Sequence, residues 1–243
     1  MISLIFGDKL NNGGVEFGIT GGENFGQISG LESTDYYNDW NLGFYFNLRL
    51  KESPWLIYTG VLVKSKLGTG LTQNDVQNLG LSTYPSLAGS YTQTMSTFII
   101  PVFLKYRFKN RIHFEVGPQF GLAYKAFVDF DYEENGTTVS IEQNNKSDIN
   151  RIDLGFGIGT GYRFNNKATG ATIGLKYYHG FIDVYKNLSG TKNSALFLQI
   201  DIPIGAGDCA QQKKKEDARK KALKKAKKEQ KKKNNTKKTS NRP

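Results

Sequence analysis

The sequence predicts an all-β fold: an eight-stranded antiparallel up-and-down transmembrane β-barrel, followed by a disordered or partly helical, Lys-rich C-terminal tail. Apolar and polar residues alternate with a period of two in eight segments, which is typical of strands with two chemically different faces. Aromatic residues make up 13% of the chain and glycine 27 of its 243 residues, a composition that favours strands and turns over helices. The connections between the segments are alternately short and long, as in transmembrane β-barrels.

The first four predicted strands differ in how clearly they alternate. The first covers residues 15–20 and the second residues 41–50, where apolar side chains occupy every second position. The third, near residues 55–64, is apolar at neighbouring positions, so its phase stays open. The fourth, residues 98–108, sets a row of apolar side chains against a row that includes Lys105.

The remaining four strands alternate more regularly. They cover residues 112–125, 152–164, 171–178 and 196–204. The sixth strand is the clearest, because a glycine or a polar residue follows nearly every apolar one. Its glycines invite comparison with a nucleotide-binding loop, but their spacing is strictly two and no helix follows, which favours a strand with glycine on one face.

The connections predict which strand ends lie together. Short turns join strands two and three, four and five, and six and seven, whereas the other four links are long. An even number of strands then places both termini at the short-turn end, which is the periplasmic end in this class of barrel. The expected domains are an N-terminal lead (1–13), the barrel (14–205) and a polycationic tail (206–243). The long links cover residues 22–39, 65–96, 126–150 and 180–194.

Alternation alone does not show which face is inside, because a soluble lipocalin-like ligand-binding barrel would bury its apolar face. The apolar faces hold no charged residue and many aromatic rings, which is too much volume for the lumen of eight strands. The opposite faces combine glycine, which fits a narrow lumen, with charges of both signs. We therefore predict a membrane barrel whose lumen is closed by an ion-pair network. Its expected members are Glu16, Arg49, Lys105, Arg107, Glu115, Lys125, Asp153, Arg163, Lys176 and Asp201.

Two prolines interrupt the pattern. Pro101 and Pro118 lie within the fourth and fifth predicted strands. Proline has no N–H to donate to a strand ladder and is confined to edges, strand starts and bulges. Both prolines are therefore expected near a rim or a bulge.

Several short stretches resemble a known family. They are Ile-Pro-Val-Phe-Leu-Lys-Tyr-Arg-Phe at 100–108, Glu-Val-Gly-Pro at 115–118, Asp-Leu-Gly at 153–155 with Gly161 and Tyr162, and Leu-Lys-Tyr-Tyr-His-Gly at 175–180. Over roughly residues 14–205 the chain is similar to the eight-stranded outer-membrane β-barrel proteins of Bacteroidetes, the PorT-like group also described as porin family. The resemblance implies a cell-envelope protein in the outer membrane of a Gram-negative bacterium, in contact with outer-membrane lipid. It implies the fold more strongly than the function, and because the group includes a protein of type IX secretion, it raises a secretion-associated role.

The N-terminus bears on this location. Residues 1–10 lack the charged start and the small-residue cleavage site of a secretory signal. The sequence also holds no apolar run of about 18 residues that would form a transmembrane helix. Since an outer-membrane protein needs a secretory signal, either the natural N-terminus lies upstream or the membrane interpretation is wrong.

The formal charge of +11 is concentrated in the tail. Up to Ala210 there are 17 basic and 19 acidic residues, whereas from Gln211 onward there are 16 and 3. The body is near neutral, which argues against a basic nucleic-acid-binding domain, and no nucleic-acid partner is expected. The tail is either a solvated extension or an electrostatic tether to anionic cell-wall polymer, lipid headgroups or envelope proteins. The lysines expected to make these contacts are Lys213, Lys214, Lys215, Lys220, Lys221, Lys224, Lys225, Lys227, Lys228, Lys231, Lys232 and Lys233.

The sequence offers little for catalysis or metal binding. Cys209 is the only cysteine, and the two histidines, His113 and His179, have no neighbouring ligand set. An outer-membrane lipid-modifying hydrolase is an alternative that would combine His179 with Asp183 and Ser194, although no local motif supports it. We expect a non-enzymatic protein without a cofactor or metal, whose two longest loops make surface contacts.

Overall fold

The computed structural model describes residues 14–50, 53–166 and 169–204, which form antiparallel strands and one short helix. The predicted N-terminal lead and the tail with its lysines lie outside the described residues. No helix within these ranges has the length and apolar character needed to cross a membrane. The elements are β1 (Val15–Ile28), β2 (Tyr37–Arg49), β3 (Trp55–Lys64), β4 (Lys66–Leu71), α1 (Gln73–Asn78), β5 (Gly89–Arg107), β6 (Ile112–Glu134), β7 (Thr137–Asn144), β8 (Ile152–Arg163), β9 (Thr172–Asp183) and β10 (Lys192–Pro203).

Eight of the strands close into a ring. β1 pairs with β2, and the pairing continues through β3, β5, β6, β8, β9 and β10 back to β1, antiparallel at every step. β4 pairs with the N-terminal half of β5, and β7 with the C-terminal half of β6. The predicted all-β antiparallel fold, with eight strands that follow one another around a closed sheet, is confirmed.

The strands of the ring are strongly tilted. The partners of Trp40 on β2 can be followed once around the ring, and the path returns to β2 at Leu50, ten residues further along. The shift along β2 after one circuit is ten residues of about 3.3 Å each, and the circuit crosses eight strands spaced about 4.8 Å apart. This ratio corresponds to a strand tilt of about 40° from the barrel axis. The path runs through Glu23, Leu198, Leu175, Thr160, Phe114, Tyr106 and Trp55.

The two faces of the ring differ as the alternation predicts. Apolar side chains at alternate positions are exposed, with Phe114 at 54% and Ile158 at 58%. Lys105 and Glu115, on the opposite face, are each only 1% exposed. In β3, whose phase the sequence left open, Tyr58 faces inward. Apolar side chains outside and charges inside are the arrangement of a membrane barrel, the reverse of a soluble ligand-binding barrel.

Aromatic rings mark both ends of the outward apolar belt. Near the short turns, Trp55 packs edge-on against Tyr106 at a centroid distance of 4.8 Å. Toward the long links, Phe98 stacks on Tyr124 at 4.7 Å. Aromatic girdles of this kind lie at the two interfaces of a bilayer, so the belt between them is the membrane-spanning part of the ring.

β5 and β6 continue far beyond this belt. The segments expected as loops at 65–96 and 126–150 contain β4, α1, the first half of β5, the second half of β6 and β7. We call residues 66–96 and 126–144 the extension. The loop prediction was wrong because the outward face here carries hydroxyl and acidic side chains instead of apolar ones. The pattern of outward apolar residues therefore ends at the edge of the belt, although the strands β5 and β6 continue beyond it.

Pro101 and Pro118 lie in the middle of the ring-forming parts of β5 (97–107) and β6 (112–123), so the expectation that they sit near a rim or a bulge is wrong. The ladders have gaps beside them, and the register is the same on both sides of each gap. The strand pairs next to these gaps, β2–β3 and β6–β8, are paired without interruption at the same level, so the wall of the ring stays closed. The gaps lie between the pairs Thr59↔Val102 and Leu62↔Ile99, and between Pro101↔Gln119 and Leu104↔Val116.

Candidate functional site

The half of the lumen nearer the short turns contains a buried charge cluster. Glu115 on β6 lies between Lys105 on β5 and Lys176 on β9, with Oε2 2.8 Å from the first Nζ and Oε1 3.0 Å from the second. Strand alternation turns all three side chains inward, and ring closure brings them to one level. Because they are shielded from water, ion pairing is what compensates their charges.

Tyr58 and Asp201 complete this cluster. The Tyr58 ring centroid lies 4.2 Å from Lys105 Nζ and 3.7 Å from Lys176 Nζ, so both ammonium groups contact the same aromatic ring. The Tyr58 hydroxyl donates a hydrogen bond to Asp201 Oδ1 at 3.4 Å. Two lysines and two carboxylates thus meet around one ring with balanced charge.

A second ion pair lies closer to the short turns. Glu16 Oε2 accepts a hydrogen bond from Arg163 Nη1 at 2.7 Å. Its Oε1 accepts from the Tyr45 hydroxyl at 3.2 Å and from Asn47 Nδ2 at 2.9 Å. Glu16 therefore links β1 to β2 and to β8 across the lumen.

Three further predicted lumen residues form no ion pair in these two groups, although Arg107 lies near enough to Glu16 to interact with its charge. Arg49 and Arg107 line a cleft of about 520 Å³ at the short-turn end, and Arg49 is exposed. Asp153 lies at the opposite end of the lumen, where Asn193 Nδ2 donates to its Oδ2 at 3.0 Å. The structure thus divides the predicted network by position along the barrel axis.

Lys125 is exposed, so its assignment to the lumen is wrong. Thr97 pairs with Ala123 but Ser96 pairs with Lys125, so β6 holds one extra residue at this point. Such a bulge shifts the phase of the side chains that follow. Odd-numbered residues of β6 face inward up to Ala123 and even-numbered ones from Ala126 onward. Extrapolating the phase of the lower strand across the bulge placed Lys125 on the wrong side.

The half of the lumen nearer the long links is closed by an amide network. Asn145 Nδ2 donates to Gln93 Oε1 at 2.6 Å, and Gln93 Nε2 donates to Asn145 Oδ1 at 3.2 Å. The Tyr185 hydroxyl also donates to Gln93 Oε1, at 3.0 Å. Sequence reasoning missed these residues because all three lie in segments expected as loops. The apolar side chains packed in the same region include Ile28, Met95, Ile149 and Val184.

Little space remains between the charge cluster and the amide network. The interior space lined by Phe103, Gln119 and Gln199 has a volume of about 10 Å³, which is about the minimum for one water molecule. Over the described residues, the lumen is a packed core of charged, amide and apolar side chains and not a water-filled channel.

The extension has an apolar core of its own. The helix α1 begins with a capping box, in which Asp75 N donates to Thr72 Oγ1 at 3.0 Å and Thr72 N donates to Asp75 Oδ2 at 2.9 Å. Asp75 also accepts from the backbone N–H groups of Glu32 and Ser33, at 2.8 and 3.1 Å, which ties the helix to the β1–β2 link. The core residues are Leu71, Val76, Tyr91, Val128 and Phe130.

The alternative hydrolase site is not assembled. Ser194 is the strand partner of His179, but its hydroxyl donates to Gln27 O at 3.3 Å. Asp183 Oδ1 lies 2.9 Å from Lys192 Nζ. A hydrogen-bonded Ser–His–Asp set is therefore not formed within the described ranges, which also hold no group of three or more His, Cys, Asp or Glu side chains placed to bind a metal.

No curated protein sequence matches the chain. Among solved structures, the attachment invasion locus protein Ail of Yersinia pestis, in complex with the heparin analogue sucrose octasulfate, is 12% identical with a TM-score of 0.42, covering 78% of this chain and 98% of Ail. Neisserial surface protein A is 11% identical with a TM-score of 0.37, covering 78% and 96%. The Pseudomonas putida toluene transporter TodX is 8% identical with a TM-score of 0.26, covering 84% and 93%.

The family assignment rests on the sequence match together with the closed ring and its outward apolar belt. The matched segment covers most of the ring and the whole extension. Residues 7–186 match the family described as outer membrane protein beta-barrel domain; the chain belongs to this family, and its location is the outer membrane.

Proposed function

We propose that the protein is a non-enzymatic outer-membrane barrel of the PorT-like Bacteroidetes group that acts through its extension at the cell surface. The observation that carries the proposal is the contrast between a filled lumen and an ordered extension. The cluster of Lys105, Glu115 and Lys176 blocks the bore, so solute transport through the lumen is disfavoured. The extension, by contrast, presents ordered strands beyond the membrane belt.

The extension is suited to binding because it is already folded. Its apolar core and the capped helix hold the strands in place, so little conformational entropy is lost when a partner binds. Its height also favours contact with large partners. From Ser96 to Gly89, β5 adds about 25 Å of strand beyond the belt, at about 3.3 Å per residue.

The two ends of the described chain support a role for the tail on the other side of the membrane. Arg49 N donates to Gly14 O at 2.7 Å and Ile204 N donates to Phe17 O at 3.0 Å, so both ends lie at the short-turn end. Short turns face the periplasm in outer-membrane barrels. The tail from 206 onward would then enter the periplasm and contact anionic cell-wall polymer, headgroups or envelope proteins. Each lysine near an anionic membrane surface contributes about 1 kcal/mol to the binding free energy. A secretion-associated role would use this periplasmic contact of the tail.

Cysteine labelling on intact cells tests this orientation. Cys209→Ser removes the native thiol, after which Ser140→Cys marks the extension and Lys109→Cys marks a short turn. We expect a membrane-impermeant maleimide to label position 140 on intact cells and position 109 only after the outer membrane is permeabilised. The reverse pattern would place the extension in the periplasm and overturn the proposal.

A further inference from the structure

The extension has two sheet edges, and only one of them is covered. On β4, Gly70 N donates to Asp35 O at 3.3 Å, Thr69 Oγ1 donates to the same oxygen at 2.8 Å, and Tyr36 forms a β-bridge with Thr69. The β1–β2 link therefore covers this edge. β7 forms the other edge, and within the described residues it pairs with β6 alone.

The hairpin geometry identifies the open backbone groups of β7. Asn135 and Gly136 both have positive φ, 50° and 76°, as a two-residue type I′ turn requires. In such a hairpin the residues flanking the turn exchange hydrogen bonds, and every second residue after them turns its N–H and C=O away from the partner strand. On β7 these are Thr138, Ser140 and Glu142, whose backbone groups have no partner elsewhere in the described chain.

The open edge lacks the usual features that prevent strand pairing. Exposed edges are normally blocked by lysine, proline, a bulge or a covering segment. β7 reads Thr-Thr-Val-Ser-Ile-Glu-Gln-Asn and contains no lysine or proline; Glu142 is its one charged residue, and its pairing with β6 is regular over its whole length. An edge of eight residues in this state is a template for another strand.

The two faces beside the edge specify which strand would fit. One face is acidic, and Asp129 lies directly opposite Glu142. The Thr94 hydroxyl, which donates to Asp129 Oδ2 at 3.3 Å, and the nearby Lys66 offset this like-charge pair only in part. Burial and the carboxylates of Glu142 and Asp131 raise the pKa of Asp129. On the other face, Ile141 packs against the apolar core of the extension. An added strand would therefore place basic side chains on one face and apolar side chains on the other.

We propose that the open edge of β7 binds an extended segment of a partner polypeptide by strand addition, and that this segment alternates Lys or Arg with apolar residues. The inference rests on the proposed function, since it names the partner class of the same extension. Backbone hydrogen bonds to Thr138, Ser140 and Glu142 would supply the affinity. The acidic face and the apolar side of β7 would supply the selectivity.

The test uses the full chain in detergent micelles and a fluorescent eight-residue peptide that alternates lysine and valine. Ser140→Pro removes one outward N–H, and an edge strand tolerates proline where the N–H faces solvent. We expect this variant to bind the peptide about tenfold more weakly, as loss of an edge hydrogen bond predicts. Ser140→Ala keeps the N–H and serves as the matched control, with affinity unchanged.

Charge recognition is tested on the same assay. Glu142→Gln should weaken binding several-fold, whereas Glu134→Gln, which by alternation lies on the opposite face, should leave it unchanged. In wild-type protein the amides of Thr138, Ser140 and Glu142 should become protected from hydrogen exchange when the peptide is added.

Three results would overturn the inference. They are equal affinity of the wild type and Ser140→Pro, no amide protection on β7, and a dimer of the protein alone that Ser140→Pro dissociates, which would identify a second copy as the occupant. Hydrogen exchange needs no variant, so it decides the matter even if Ser140→Pro fails to fold. Because peptide binding is measured on purified protein, its failure leaves the labelling test of the proposed function intact.

Discussion

Glu115 is the residue on which the charge balance of the lumen depends. It contacts two ammonium groups at 2.8 and 3.0 Å, and its own side chain is fully shielded from solvent. Removing one partner of a buried ion pair costs more than the pair itself contributes, because the remaining charges stay buried without compensation. The Tyr58 ring contacts both lysines and so reduces the cost of removing Glu115, but an aromatic ring stabilises an ammonium group less than a carboxylate does.

Replacing Glu115 with glutamine is expected to lower the free energy of unfolding by about 3–5 kcal/mol, because Lys105 and Lys176 then lose the carboxylate that pairs with both of them. Urea unfolding in detergent micelles, followed by heat-modifiable migration on gels, measures the change. Glu133→Gln on the exposed part of the extension is the control and should alter the free energy of unfolding by about 0.5 kcal/mol or less. Wild-type stability of Glu115→Gln would show that the ring does not depend on this cluster.

Gly157 shows at the same scale why glycine occupies the lumen face. A Cβ atom at this position would lie 2.6 Å from Cζ of Phe103, whose ring is 1% exposed. The ring fills the volume that a side chain at 157 would need. The glycine row expected on the inward face of the sixth strand thus leaves space for large side chains of nearby strands, among them Phe103, Tyr178 and Lys176.

At the scale of the element, β6 consists of a ring-forming part and an extension part, which are joined by one bulge. On the short-turn side of the bulge, the outward face of β6 forms part of the apolar belt. On the other side, β6 contributes Val128 and Phe130 to the core of the extension. The bulge takes up one additional residue, so that the residues above it still turn their apolar side chains inward and still pair with β5.

Deleting Lys125 removes this additional residue. We expect the extension to keep its order, because β6 then pairs with β5 without a bulge: Ala126 still pairs with Met95, and Val128 and Phe130 still face the core. The ring should still form, since residues 112–123 keep their phase. Limited proteolysis and hydrogen exchange would follow the extension, and heat-modifiable migration would follow the ring.

Lys125→Ala keeps the residue count and should leave both measurements unchanged. Loss of protection in the deletion variant would contradict this expectation and show that the extension depends on the bulge itself.

At the scale of the whole molecule, the ring encloses a core instead of a channel. Charged groups, amides and apolar side chains occupy successive levels of the lumen, and the space left between Phe103 and Gln199 is about 10 Å³. Eight strands provide an interior just wide enough for side chains to fill.

Purified protein in planar lipid bilayers is therefore expected to show no stable single-channel conductance. Heat-denatured protein, added in the same detergent, sets the background. Well-resolved current steps from the folded form, absent from the denatured control, would contradict a sealed lumen and favour a transport role.

The sequence by itself determined the strand number of the ring, the sense of its faces and the separation of a near-neutral body from a basic tail, because strand period and charge are local properties of a chain. Only the tertiary structure decided which charges meet in the lumen, since closure of tilted strands brings Lys105, Glu115 and Lys176 to one level. It also decided the position of Lys125, because a bulge reverses the faces of a strand without leaving a period of its own. The extension was hidden for a related reason: beyond the membrane the outward face becomes polar, and only the pairing of β4 and β7 with β5 and β6 shows that those segments are strands.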